Sequence, residues 1–220
     1  MLNVYINGLS GKMGQTILHL CDTDHDLNVV TTKNLEKIDV VIDFSRPEST
    51  VNLLKEFEDQ NIPFIIGTTG FTSAQLSVIE KIACNFPILL AFNVSRGIFT
   101  LKNSIKNFLK ENKEELKCSI EEIHHISKID SPSGTAIELE NYINTSDLEK
   151  RIVSININSK RVGDVYGIHK VCFSNDSNVI EFKHEALSRN VFAEGAIEIA
   201  KEIPKKDPGL SQVEDFFDDK

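Results

Sequence analysis

Short apolar runs alternate with segments of helical spacing from Leu2 to Ala91, and this alternation limits the fold more than any other feature of the sequence. Residues 2–7, 28–32, 38–44, 64–66 and 87–91 read as strands, and residues 15–21, 48–60 and 72–83 as helices. Thr72 or Ser73 supplies a capping hydroxyl for the last of these helices. Strands that take turns with helices make a parallel sheet with right-handed crossovers. Ligands of such sheets bind beyond the carboxyl ends of the strands.

The first strand runs straight into Gly8-Leu9-Ser10-Gly11-Lys12-Met13-Gly14, a G-x-x-G-x-x-G turn that opens a helix. Glycines there permit a tight turn and let the backbone approach a pyrophosphate at the helix N-terminus. The spacing differs from the commoner G-x-G-x-x-G, and a glycine turn can also serve helix–strand packing alone. Phe44, Gly67-Thr68-Thr69 and Phe92-Asn93 stand at other strand ends, and with the glycine turn they outline a nucleotide cleft. After the second strand, Thr31, Thr32 and Lys33 occupy the place where a dinucleotide fold usually carries an acid for the ribose hydroxyls. Two hydroxyls with a lysine suit a 2′-phosphate, which points to NADPH or to dual use with NADH; Lys33 as a solvated charge is the alternative. Near residue 95 the pattern changes. A long helix over 100–116 is followed by strands at 117–123, 152–160, 168–174 and 179–186, with few helices between, and by a helix over 191–203. The expected fold class is therefore α/β: an N-terminal Rossmann-like parallel-sheet domain with a C-terminal α+β domain.

The most chemically loaded stretch lies in the second half. Glu121-Glu122-Ile123-His124-His125-Ile126-Ser127-Lys128-Ile129-Asp130-Ser131-Pro132-Ser133-Gly134-Thr135-Ala136 reads as strand, loop and helix start. Free N–H groups of Gly134 and Thr135 at a helix N-terminus attract an anion. Lys128 and a histidine beside that anion could hold a carboxylate and deliver a proton to a group attached to it. Paired histidines are often accidents of surface or core, and S-P-S-G is often only a turn. Adjacent strand residues point to opposite faces, so His124 and His125 cannot share one job unless the strand has ended.

Charge and cysteine usage narrow the class. A formal charge of −9 over 220 residues argues against nucleic acid or an anionic membrane as the main partner. The four cysteines form no C-x-x-C pair, which reads as thiols in a reducing cytosol, and no metal site is expected. The start of the chain has neither the basic residues nor the apolar run of a signal peptide, and no run is long enough to span a membrane, so the expected location is cytoplasmic.

Together the glycine turn, Val41-Ile42-Asp43-Phe44-Ser45-Arg46-Pro47, Gly67-Thr68-Thr69-Gly70, the histidine–lysine segment and His184-Glu185-Ala186-Leu187-Ser188-Arg189 resemble the dihydrodipicolinate (4-hydroxy-tetrahydrodipicolinate) reductase family, in that family's order and over nearly the whole chain. The E-x-H-H-x-x-K-x-D-x-P-S-G-T-A stretch is the specific part. The resemblance implies a nicotinamide-dependent reductase of diaminopimelate and lysine biosynthesis acting on a cyclic dicarboxylate. It implies a homotetramer, a dinucleotide-binding domain of residues 1–95 plus 195–220, and a substrate and oligomerisation domain of residues 96–194. It assigns His124 as proton donor and Lys128 as its catalytic partner. It gives His125, Lys128, Gly134, Thr135 and Arg189 to the substrate carboxylates. Gly8, Gly11, Lys12, Met13, Gly14, Gly67, Thr69 and Asn93 go to the cofactor, beside Phe44, Phe92 and Lys33 from the reading of strand ends. The chain departs from the family where a Glu-Arg or similar pair is missing after the second strand, where the segment leading to Asp39 is short, and at Arg96, which replaces a usual apolar residue. Two other classes remain: another nicotinamide enzyme of small dicarboxylates, such as an aspartate-type dehydrogenase, and a non-catalytic dinucleotide-binding regulator. Neither has a reason for the H-H-x-x-K segment.

Overall fold

The computed structural model describes residues 1–31 and 37–217. Its chain divides into two compact units, Met1–Ser95 with Arg189–Lys220, and Arg96–Ser188.

The first unit is a parallel sheet with helices in its crossovers. Its elements are β1 (Leu2–Asn7), α1 (Lys12–Cys21), β2 (Leu27–Val30), β3 (Val40–Asp43), α2 (Pro47–Glu56), β4 (Phe64–Ile66), α3 (Ser73–Ile82) and β5 (Pro87–Leu90). With β10 (Gly209–Ser211), which the end of the chain supplies, the sheet order among the described residues is β10-β5-β4-β3-β1-β2, and every pairing is parallel. Val40, Val41 and Ile42 are all fully buried, as a strand covered on both faces requires. Asn7 pairs with Asp43 and Asp43 with Ile66, so the carboxyl ends of β1, β3 and β4 lie level along one edge. Thr72 caps α3 in a reciprocal capping box with Gln75. On one side of the sheet Phe57, Phe64 and Phe86 form a chain of rings, with centroids 5.8 Å apart at each step, among buried Val41, Leu54, Ile66 and Ile79.

The second unit contains α4 (Arg96–Glu111), β6 (Leu116–His124), α5 (Gly134–Ser146), β7 (Ile152–Arg161), β8 (Gly167–Ser174) and β9 (Val179–Ala186). Its sheet runs β7-β6-β8-β9; β6 and β7 are parallel, and the other pairs are antiparallel. The alternation in β6 sends Cys118 and Ile120 to the buried face, where Val171 and Phe173 of β8 join them against Ile105 of α4 and Leu139 and Ile143 of α5. Toward one end of the sheet that same row continues with Glu122 and His124 on β6 and His169 on β8, all buried. The core face therefore turns polar without leaving its register.

After the second unit the chain forms α6 (Asn190–Glu202) and β10 (Gly209–Ser211) of the first. The helix is continuous from Asn190, so the contact boundary falls at Arg189, and the sequence boundary at residue 195 lies inside the helix. The helix expected over 100–116 instead starts at Arg96 and ends at Glu111. The Asn112 side chain accepts from Glu114 N–H and donates to its carbonyl, closing a turn that releases Leu116 to open β6. The short strand Gly209–Ser211, beside Pro87–Leu89, has no sequence counterpart because three residues carry no periodicity. Among the described residues no helix is long and apolar enough to cross a membrane. Replacing Phe57 by Ala empties a fully buried ring site. It is expected to destabilise the first unit by about 3–5 kcal/mol, read as a lowered urea midpoint against wild type.

Candidate active site

Glu122 is the buried anchor of the polar end of β6, with no exposed surface. Its Oε2 lies 2.5 Å from His124 Nδ1 and accepts from Arg161 Nη1 at 2.9 Å. Its Oε1 accepts from Arg161 Nη2 at 2.9 Å and from the backbone N–H of Ser133 at 3.1 Å. The sheet dictates this meeting. Glu122 and His124 are two apart on one strand and face the same way, and His124 pairs in register with Arg161 on β7. On the other flank β8 offers Gly167, where a Cβ would stand 3.1 Å from His124 Nε2, so the missing side chain leaves room for the imidazole. His169 packs edge-on against His124, with ring centroids 5.0 Å apart, and its Nε2 lies 3.3 Å from Ser133 Oγ.

Burial alone would raise the Glu122 carboxyl, but bonds from Arg161, Ser159 and His124 outweigh it and bring the pKa down to about 2. Burial pulls His124 below its ordinary value; Glu122 opposes that shift, while Lys128 and Arg161 add to it. For His169, burial with help from the neighbouring His124 pushes the pKa down to about 3, which keeps the ring neutral. Among the described residues its Nδ1 has no hydrogen-bond partner.

Beyond His124 the strand ends. His125 is only half-buried, and its Nδ1 lies 2.8 Å from Ser127 Oγ. The loop then brings Lys128 Nζ to 2.8 Å from Asp130 Oδ1. The Asp130 carboxyl, raised by burial, is drawn below the usual range by Lys128 and by backbone N–H groups, Gly134 among them. Ser133 caps α5, its hydroxyl accepting from Ala136 N–H at 3.2 Å, so Gly134 and Thr135 form the first turn. His124, His125, Lys128, Gly134 and Thr135 thus gather at one end of the second unit's sheet. Arg189 precedes α6 and belongs to the first unit.

In the first unit, Gly8 has φ +86°, and a Cβ there would stand 2.7 Å from the Phe44 carbonyl oxygen; one on Gly14 would stand 2.3 Å from the Gly8 oxygen. Backbone packs on backbone here, and only glycine fits. Gly11 bonds back to Gly8 and leads directly into α1 without a side-chain cap, leaving the first N–H groups of Lys12, Met13 and Gly14 without intrahelical acceptors. Above this turn lies a cleft of about 490 Å³ lined by Gly8, Leu9, Ser10, Gln15, Val30 and Thr31. The turn, its donors and the cleft fit the phosphates and adenosine half of a dinucleotide. The Phe44 ring lies directly over Gly67, and Thr69, Phe92 and Asn93 stand at the neighbouring strand ends. Lys33 falls outside the described residues.

Arg161 closes β7 one residue beyond the strand expected over 152–160, and neither it nor Glu122 nor His169 has a role in the sequence alone. The signal was present as Cys118-x-Ile120-x-Glu122-x-His124 and His169-x-Val171-x-Phe173, two strands whose inward row ends in polar residues. The first unit holds a further fully buried carboxylate, Asp43, whose Oδ1 accepts from Ser45 N–H, Ser45 Oγ and Thr68 Oγ1. Among the described residues no group of three or more His, Cys, Asp or Glu side chains could hold a metal ion. The depressed His169 contributes stability that is full above its ordinary pKa of about 6.5 and fades as the pH falls toward about 3. Urea unfolding between pH 7 and pH 4 should show a smaller acid loss in His169→Gln than in wild type.

The dihydrodipicolinate reductase family models match the chain along most of its length: the N-terminal model over residues 30–94 and the C-terminal model over residues 97–217. A 4-hydroxy-tetrahydrodipicolinate reductase from Rickettsia bellii is 37% identical, covering 99% of this chain and 95% of the relative. One from Bdellovibrio bacteriovorus is 32% identical over 98% and 96%. Among solved structures, a dipicolinate-bound dihydrodipicolinate reductase from Paenisporosarcina sp. TG-14 shares the fold, with a TM-score of 0.73 at 21% identity over 96% of this chain and 97% of the other. A polar sheet end built on E-x-H-H-x-x-K, a glycine cradle under a parallel sheet and full-length relatives of one name lead to the same place: this chain belongs to the dihydrodipicolinate reductase family.

Proposed function

We propose that the chain reduces 4-hydroxy-tetrahydrodipicolinate to tetrahydrodipicolinate in diaminopimelate and lysine biosynthesis, with a nicotinamide dinucleotide as reductant. The observation that carries this reading is the buried His124, fixed by Glu122 and standing next to a loop in which Lys128 precedes the capped N-terminus of α5. Full-length relatives with that activity in their names support it.

Gly8, Gly11, Lys12, Met13 and Gly14 would hold the dinucleotide phosphates, and Phe44, Gly67, Thr69, Phe92 and Asn93 the nicotinamide half. When bound, the dinucleotide supplies the hydride that reduces the dehydrated ring. Reduction leaves an enamine, and a ring carbon must take up a proton as the imine returns. His124 donates that proton. Its low-lying pKa makes the imidazolium a stronger acid than a free histidine. Lys128, steadied by Asp130, puts a positive charge beside the substrate and favours the electron density that builds toward the ring nitrogen. The N–H groups of Gly134 and Thr135, the Thr135 hydroxyl, His125 and Arg189 bind the two carboxylates. Assembly as a homotetramer in the cytoplasm is part of the same reading.

A coupled assay tests the proposal: a synthase makes the substrate from pyruvate and aspartate semialdehyde while nicotinamide absorbance is followed. Wild type is expected to oxidise the dinucleotide only when the synthase is present. His124→Gln and Lys128→Ala are each expected to lower turnover by about 10²-fold or more; wild-type rates in both would remove the mechanism. In the same assay, comparable or better turnover with NADPH than with NADH is expected if Lys33 meets a 2′-phosphate. A strong NADH preference contradicts that assignment.

A further inference from the structure

The proposed reaction moves no proton through Glu122, yet five donors converge on it: both terminal nitrogens of Arg161, Ser133 N–H, the Ser159 hydroxyl and His124 Nδ1. A carboxylate without exposed surface is costly to bury and persists only when paired and hydrogen-bonded. An ionised carboxylate can only accept, so the nitrogen of His124 that faces it must carry a hydrogen. That leaves Nε2, on the side of Gly167, as the nitrogen that can lose and regain a proton. The parts sit on strands rather than loops: Glu122 reaches His124 along β6, and Arg161 reaches Glu122 from the end of β7.

We propose that Glu122, gripped by Arg161, is a positioning residue that holds His124 in the Nδ1–H form and makes Nε2 the proton-delivering nitrogen. The inference rests on His124 being the proton donor of the proposed reaction. The same carboxylate receives Ser133 N–H, so it also sets the start of the helix whose N-terminus is given to a substrate carboxylate. One buried group thereby ties the acid to the anion site. The groups that face the His124 imidazole are Glu122 on its own strand, Arg161 on β7, the neutral His169 on β8 and Lys128 from the loop. Two are cations and one is an anion. Loss of the anion disfavours the imidazolium, so the donor is protonated only at lower pH.

The test compares wild type, His124→Gln, Glu122→Gln and the double variant in the coupled assay across pH, with melting temperatures measured alongside. Glutamine keeps the shape and an acceptor oxygen for Ser133 while removing the charge. Glu122→Gln is expected to lower kcat by about 10- to 100-fold with a smaller change in KM. Its alkaline limb of activity should move to lower pH. In the His124→Gln background the same substitution should cost nothing further, because Glu122 acts through the imidazole. An equal loss in both backgrounds, an unmoved limb or wild-type kcat would overturn the inference. If Glu122→Gln melts below the assay temperature, Arg161→Lys serves instead, since it keeps the charge and loses the two-pronged grip. It should slow wild type but not His124→Gln. Failure of both variants to fold would mark the pair as purely structural and also overturn the inference. Full activity in His124→Gln would instead sink the proton-donor assignment beneath it.

Discussion

The charged cluster of Glu122 with Arg161 and His124 is the interaction on which the second unit's chemistry depends. A sheet face that is apolar at Cys118, Ile120, Val171 and Phe173 can end in a buried carboxylate only if every oxygen is answered. Arg161 answers with a planar fork that matches the carboxylate and stays charged. The arrangement explains why a strand runs its inward row past the apolar core, and why glycine stands at position 167, beside the imidazole. The cluster is costly as a way to stabilise a fold, since well-packed apolar residues often do as well. Its value lies in holding an imidazole at a defined place with a defined charge.

The first unit solves a different problem with backbone instead of side chains. Its parallel strands bring their carboxyl ends level, so turns distant in sequence share one edge. Gly8 and Gly14 let the first turn fold tightly enough to aim the start of α1 along that edge. Donors of this kind recognise phosphate through fixed N–H groups and the helix dipole, with little dependence on side-chain identity. That independence suits a chain with a formal charge of −9, which must attract an anionic cofactor locally.

Strand and helix types were legible along most of the chain because the inward rows are periodic: Val40, Val41 and Ile42 as a continuous apolar run, residues 116–121 as an alternation of apolar and polar side chains that Glu122 and Ile123 then break. Element ends were less so. The close of α4 depends on the Asn112 side chain bonding two residues ahead, and the pairing of β10 on a neighbour far away in sequence. In the site, His124 and Lys128 stood out because two adjacent histidines, a lysine and a small-residue turn share one short segment. Arg161 did not, because it looks like any arginine at the edge of a loop until β7 is laid beside β6.

The sequence by itself determined the alternating parallel-sheet half, the glycine turn, the mixed-sheet half and the segment that carries His124 and Lys128, since each is written in local spacing and residue type. Only the tertiary structure decided which partners His124 has. Glu122, Arg161, Ser133 and His169 come together through strand register and through the entry of α5. Register is a relation between strands up to tens of residues apart, and no local pattern encodes it. The charge state of His124 follows from that relation, because burial and the balance of one anion against two cations set it.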